Sequence, residues 1–423
     1  MKKYDVIVVG GGTAGVIAAT QAGREGVKTL LIEKNEILGG SIVNADVTAP
    51  GLFHAWTKQI IAGIGWELIS KSMDEEGRSY PDFTKQERFR HYLAQLGVNG
   101  AYYALICDEA VVNAGVDVLF DAMCAKIEEK GNEKILTVCT KTGLKEFSAK
   151  VLIDCTGDAN AINLMGYELE SGEELQPATY SCRLEGYDFE SLDIDAISKE
   201  FTKEVEKGNF KFTDIGWSVD SFDPQWLRKY GQNANHIYIN GKSGKTSEEK
   251  SEISLKARLT ILKLLRFCRN QKGLENIRLS SLSAECGIRE TVRIKGKKTV
   301  TEEYYLSNKR YGDDVCYSFY PIDLHTKSKD GLQNAYHEEG VVPTIPRGAM
   351  LPMNSKNLMV AGRCISSDRA ANSALRVEAT CMATGQAAGA IAALAAKLNM
   401  DVEEVPMSEI YAVLKKHNAI IPE

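Results

Sequence analysis

Tyr4 to Gly15 reads YDVIVVGGGTAG, an apolar run that breaks into Gly10-x-Gly12-x-x-Gly15 and resumes with the small residues of a helix start. A strand, a glycine turn and a helix N-terminus in this order make a cradle for a pyrophosphate. Gly10 permits the tight turn, Gly12 lets phosphate approach the backbone, and Gly15 lets the helix pack closely with its positive end toward the anion. A second apolar run, KTLLIE, ends in Glu33, eighteen residues after Gly15, where a ribose-binding carboxylate is expected. Together these features read as a dinucleotide site. A carboxylate there repels a 2′-phosphate, which favours FAD or NAD over NADP.

Two further runs share the form of the first strand: VLIDCTGD at 151–158 and NLMVAGRC at 357–364, each apolar and closed by a glycine. Such runs read as central strands of one parallel sheet with its C-terminal edge toward a ligand. Between the first two blocks, strand-like stretches near Met123–Glu128, Ile135–Thr140 and Lys145–Leu152, parted by turns at Gly131-Asn132 and Thr142-Gly143, read as an antiparallel meander. Residues 84–114 carry apolar positions Phe89, Leu93 and Leu96 at helical spacing and read as helical up to Gly115. The fold expected is α/β: a Rossmann-like domain with a parallel central sheet, an antiparallel β-meander and an inserted α+β substrate domain. Its boundaries fall at 1–164, 165–345 and 346–423. The insert holds a strand-like TYSCRLEGY, a charged loop from Asn240 to Lys250 and a helix around Ile253–Asn270.

With 423 residues, 44 % of them hydrophobic, and a formal net charge of −6, the chain has material for a large core and no nucleic-acid footprint. The small apolar run Ala383 to Lys397 is too short to span a bilayer, so no membrane partner is expected. Ten cysteines lack CxxC pairs, which points to reduced thiols and to neither zinc nor a redox disulfide; Cys155, Cys364 and Cys381 read as small buried side chains. Lys2, Lys3 and the first strand follow Met1 at once and leave no room for a signal peptide, so a cytoplasmic location is expected.

Taken in order, VIVVGGGTAG, LLIEKNEILGGS, VLIDCTGD, AECGIRETVRIKG with YPIDLH, and the C-terminal stretch NLMVAGRCIS…LRVEATCMATGQAAG resemble the FAD-dependent oxidoreductases of the glutathione-reductase-like superfamily. The resemblance covers most of the chain. It implies FAD as cofactor, held at the pyrophosphate by Gly10, Gly12, Thr13, Ala14 and Gly15 and at the adenosine ribose by Glu33 and Lys34. By the same resemblance Gly39, Gly40 and Ser41 run beside the ribityl chain and flavin, Ala125 marks a backbone contact to adenine, and Thr156, Gly157 and Asp158 close over the adenosine. Gly362 and Arg363 return to the pyrophosphate, and the helix near Thr380, Met382, Ala383 and Thr384 aims its N-terminus at the flavin pyrimidine. Gly40 is followed by Ser41, Ile42 and Val43 rather than the His that links covalently to flavin in the succinate-oxidising branch, so a noncovalent flavin is implied. One GxGxxG implies no second, tightly bound nicotinamide domain.

Flavin chemistry needs groups that orient a substrate and move a proton. Arg289, Glu290 and Arg293 of GIRETVR offer a carboxylate clamp or a structural ion pair; His325 of YPIDLH offers proton transfer or packing. His54 of GLFHAW is a proton-transfer candidate or a core residue beside Phe53 and Trp56. Arg376 approaches the cofactor or pairs with Asp368 or Glu378. Aromatic residues around Cys316–Tyr320 line a pocket or fill the core. The leading reading is hydride transfer between FAD and a small-molecule substrate, with reaction direction, electron partner and oligomeric state open. A flavin-bearing relay or sensor, and an NAD-dependent dehydrogenase, stand as alternatives.

Overall fold

The computed structural model describes residues 1–85, 88–232, 237, 244–325 and 332–423. Strand β1 (Lys2–Val9) leads through the glycine turn into helix α1 (Thr13–Arg24), strand β2 (Thr29–Ile32), helix α2 (Gly63–Glu76) and helix α3 (Gly100–Asn113). Strands β3 (Asp117–Leu119), β4 (Met123–Lys130), β5 (Glu133–Thr140) and β6 (Gly143–Asp154) follow. Helix α4 (Ser247–Cys268) belongs to the intervening lobe; strand β7 (Leu358–Val360), helix α5 (Arg369–Leu375) and helix α6 (Glu378–Leu398) bring the chain back.

The main sheet runs β3-β2-β1-β6, all parallel, and strand β6 has two neighbours on its far side. Its first half pairs antiparallel with β5, and its end pairs parallel with β7. The meander and the continuing sheet are thus a single strand of twelve residues, Gly143–Asp154. Register decides the function: Ile32, Val9, Asp154 and Val360 lie side by side, so the segments that follow them leave the sheet at one edge. Val6, Ile7 and Val8 are fully buried, as a strand covered on both faces requires.

Helix α6 lies against α1 at backbone distance. A Cβ on Gly385 would fall 2.3 Å from the Ala14 carbonyl oxygen, and one on Gly389 2.3 Å from that of Ala18. Small residues one turn apart let the helices meet there. Helix α6 is long and apolar enough to cross a membrane, yet 94 % of its apolar window is buried inside the fold. It is a core helix.

Apolar packing divides into two clusters. The larger takes in the sheet and its helices and also Ile294, Val300, Tyr305, Phe319 and Ile345; the smaller draws its members from Ala178 to Cys286. The second core therefore spans less of the chain than the 165–345 insert expected from sequence. Helix α4 begins at Ser247, earlier than Ile253, because the Thr246 hydroxyl accepts from the Glu249 N–H and caps it. The expected charged loop lies outside the described residues as far as 243. Among the described residues, the helix expected over 84–114 is confined to Gly100–Asn113: Asn99 caps it by accepting from the Ala101 N–H, and the preceding stretch makes only short 3-10 turns. Phe89 and Leu93 of the expected apolar face are 63 % and 38 % exposed while Leu96 is buried in the core, so the three do not form the single buried face that a helix there would need.

Candidate active site

A cleft of about 850 Å³ opens along the sheet edge where β1, β2, β6 and β7 end. One end is built of backbone. Gly10 takes φ 102°, and a Cβ there would fall 2.6 Å from the Cys155 carbonyl oxygen; a Cβ on Gly15 would fall 1.7 Å from that of Gly10. No side chain caps helix α1 at Gly12, so its first-turn N–H groups and positive end are left for an anion in the cleft that Gly12, Thr13 and Ala14 line. Glu33 is 6 % exposed, and its carboxylate accepts from the Gly11 N–H at 2.6 Å and the Asn35 N–H at 2.9 Å. Burial pushes its pKa upward against these bonds.

The neighbouring polar groups are likewise paired. Asp154, fully buried, accepts from the Thr156 N–H and hydroxyl and from the Ala161 and Ile162 N–H groups. Arg363 donates to the carbonyls of Gly157 and Ile288 and to the Asp158 carboxylate, binding the sheet edge to the second lobe. Lys34 reaches across to Glu285 at 2.5 Å, and Lys250 joins the same carboxylate at 3.1 Å. These cations draw the Glu285 carboxyl down to about 2 despite its burial. Lys34 thus spends its charge on a bridge between lobes.

Of the residues assigned to FAD by resemblance, Gly10, Gly12, Thr13, Ala14, Glu33, Lys34, Gly40, Ser41, Thr156, Gly157, Asp158, Gly362 and Arg363 line the cleft. The others stand back. Gly15 is buried under the turn, Gly39 is bonded to the Gly11 carbonyl behind it, and Ala125 is exposed on β4 while Ala122, Met123 and Cys124 form the wall. A bulge between Cys124 and Lys126 accounts for the offset. Helix α6 offers Val377, Glu378 and Cys381 rather than Thr380, Met382, Ala383 and Thr384. Met382 packs on Gly65, Thr380 bonds to Ser318, and the Thr384 hydroxyl accepts from the Gly362 N–H. Glu378 receives the Ser41 hydroxyl at 3.0 Å, and burial pushes it up to about 7.

The other end is built of side chains from distant segments. Arg289, Tyr320, Asp323, His325 and Arg376 line it. Asp323 and His325 alternate along the strand Ile322–His325 and so share a face; Nε2 of His325 lies 3.3 Å from the Asp323 carboxylate. Arg376 reaches the same carboxylate at 3.5 Å, and its expected partners Asp368 and Glu378 are engaged elsewhere: Asp368 caps helix α5. Burial, reinforced by the Arg289 charge, draws His325 down to about 4, outweighing Asp323. The imidazole is neutral at pH 7. Asp323 itself is held at about 2 by His325, Arg376 and Arg289 against strong desolvation.

The clamp or ion pair posed by GIRETVR resolves residue by residue. Arg293 pairs with Glu290 at 3.1 Å inside the protein and donates to the Ser367 carbonyl, while Arg289 faces the cleft and donates to the Pro177 carbonyl. His54 lies outside the cleft, stacked 3.7 Å from Phe83 and edge-on to Trp66, and burial draws it down to about 4. Cys155, Cys364 and Cys381 are buried thiols with pKa values pushed upward, hence inert.

Sequence reasoning missed Asp323, Gln176 and Glu285. Asp323 had a readable signal, its spacing of two from His325 in a strand. Gln176 had none: its side-chain carbonyl accepts from the backbone of His325 and from Arg376, across most of the chain.

A parallel sheet whose strand ends carry this glycine turn, a ribose-type carboxylate and an uncapped helix terminus defines a dinucleotide-binding fold. The family model described as FAD dependent oxidoreductase matches residues 5–414, and the chain belongs to that family. The dihydrolipoyl dehydrogenase of Trypanosoma brucei brucei is 45 % identical over 53 residues, 12 % of this chain and 11 % of that protein. The cytochrome-type fumarate reductase of Shewanella frigidimarina is 49 % identical over 55 residues, 13 % and 9 % of the two lengths. This chain thus matches about a tenth of each curated relative. Among solved structures, a geranylgeranyl bacteriochlorophyll reductase-like protein from Thermoplasma acidophilum is 13 % identical over 98 % of this chain and 84 % of its own, with a TM-score of 0.44.

Proposed function

We propose that the enzyme transfers a hydride between noncovalently held FAD and a small organic metabolite in the cytoplasm. The observation that carries this reading is the cleft itself: a backbone-lined anion cradle and the Glu33 carboxylate at one end, and ionisable side chains at the other. FAD supplies the redox chemistry when bound. Gly10, Gly12 and the first turn of α1 would hold its pyrophosphate, and Glu33 its ribose. Asp323 holds the His325 imidazole through Nε2 and so orients the ring that would take a proton from a substrate undergoing oxidation. Ten thiols without a disulfide support the cytoplasmic assignment.

The test is an anaerobic screen of metabolites for bleaching of the bound flavin. Reduction by a small molecule alone supports the reading; reduction only through a protein partner overturns it. With a substrate in hand, His325→Gln is expected to slow flavin reduction about a hundredfold with the bound FAD spectrum unchanged. A wild-type rate removes His325 from the chemistry.

A further inference from the structure

A second cavity, of about 10 Å³, lies where Arg88, His91 and His337 meet the aromatic side chains of Trp56 and Phe319. Its size suits one water molecule and nothing larger. Phe319 and Pro321 line this cavity while Tyr320 between them lines the main cleft, so one stretch of chain is the wall between the two. The strand Ile322–His325, which carries Asp323 and His325, begins where that wall ends.

Among the described residues, three nitrogens of the lining side chains are buried without a hydrogen-bond partner: Nε of Arg88, Nδ1 of His91 and Nδ1 of His337. The other contacts of these side chains fix what each nitrogen offers. Nη2 of Arg88 donates to Glu338 at 2.6 Å, which leaves Nε–H as a donor. Nε2 of His337 lies 3.2 Å from the Tyr320 carbonyl oxygen and must donate to it; burial draws this histidine down to about 4, so at pH 7 its Nδ1 carries a lone pair. His91, edge-on to the Tyr320 ring at 5.1 Å, is also drawn down by burial, against the pull of Asp323. The Trp56 indole N–H is spent on the Val341 carbonyl. One donor, one acceptor and one nitrogen able to serve as either thus share the space. An anion would set its lone pairs against Nδ1 of His337, and a cation would meet the Arg88 charge. Water answers both.

We propose that this cavity is a built site for a single water molecule, which accepts from Nε of Arg88, donates to Nδ1 of His337 and completes its bonding at Nδ1 of His91. Three hydrogen bonds are what a buried water ordinarily makes. The water ties the segment of Arg88 and His91 to the wall segment, and so braces Tyr320 at the side-chain end of the cleft. Without it, three buried polar atoms would each carry the cost of desolvation.

The first test is a high-resolution crystal structure of the full chain. A single density peak within hydrogen-bond distance of the three nitrogens is expected, and it should remain water when the crystal is soaked in bromide. An empty cavity, or an anomalous bromide signal inside it, overturns the proposal. A cycle of variants reads the same bridge in solution. Arg88→Met is expected to lower the melting temperature by at least about 2 °C in the wild-type background and by less than half of that beside His337→Phe, because the water is lost only once. Glu338 is 74 % exposed, so Glu338→Gln, which removes the other partner of Arg88, is expected to leave melting within about 1 °C of wild type. Equal losses from Arg88→Met in both backgrounds, or a loss from Glu338→Gln as large as that from Arg88→Met, overturn the shared water. Should His337→Phe fail to fold, His91→Leu takes its place in the cycle with the same expectation.

Discussion

The two ends of the cleft are built on opposite principles. At the nucleotide end the working groups are backbone N–H donors and glycines, and the charged side chains around them are paired: Glu33 with two N–H groups, Asp154 with four donors, Arg363 with three acceptors. At the far end the working groups are side chains, and among the described residues Nε of Arg376 is buried without an acceptor. A site that binds one unvarying cofactor is finished within the fold. A site that admits and releases substrate keeps polar groups for it.

The sharpest way to break the first half of this contrast is Gly15→Val. The Cβ position lies 1.7 Å from the Gly10 carbonyl oxygen, a backbone atom in a turn fixed by the Gly10 N–H bond to Ile32, so neither side yields. The expected outcome is loss of more than about 4 kcal/mol of stability and no retained FAD, read by thermal melting and by the yellow colour of the purified protein. A yellow variant melting near wild type would show that the turn tolerates what the geometry forbids.

The same contrast explains what was legible in the sequence. The first strand, its glycine turn, Glu33 and the two later strands ending near Asp154 and Val360 are contiguous motifs whose chemistry is backbone chemistry. A strand and its glycine therefore reveal them together. The far end has no such block. Gln176, Arg289, Asp323, His325 and Arg376 come from separate segments, and His325 and Arg376 were readable only as residue types beside familiar motifs. Helix α2 escaped because GIGWELISKSMDEE opens on glycines that disfavour a helix; its burial of Ile64, Leu68 and Ile69 against the core supplies what local propensity does not. The overextended helix at 84–114 is the converse, an apolar spacing of which Leu96 meets the core while Phe89 and Leu93 face solvent.

Acid provides the next test. Burial draws His54, His325 and His337 each to about 4, so as pH falls from about 6.5 toward 4 the unfolded chain takes up protons that the fold refuses, and stability is lost through that window. Glu378, pushed up to about 7, works the other way, because the folded carboxyl keeps a proton that the unfolded chain releases above about 4.5. Three against one, these groups give a net loss of about 2 kcal/mol per pH unit near pH 5.5, measurable as the fall in urea midpoint. His54→Gln and His325→Gln should flatten that slope by similar amounts. Only His325→Gln should also change the pH profile of flavin reduction, since His54 sits in packing. A rate profile altered by His54→Gln would erase the distinction between the two histidines.

The finest test returns to the nucleotide end with Glu33→Gln. The carboxylate accepts from two fixed backbone donors, Gly11 and Asn35. An amide has one oxygen to offer, so its N–H₂ must face one of those N–H groups, a buried donor against a donor that costs about 1–2 kcal/mol. If the remaining acceptor capacity of Glu33 serves a ribose hydroxyl, FAD affinity should fall about tenfold in addition to the loss of stability. If stability falls while FAD affinity holds, Glu33 braces the glycine loop and the nucleotide is held by backbone alone. Either result refines the contrast: the carboxylate is part of the ligand contact, or it belongs wholly to the finished scaffold beneath it.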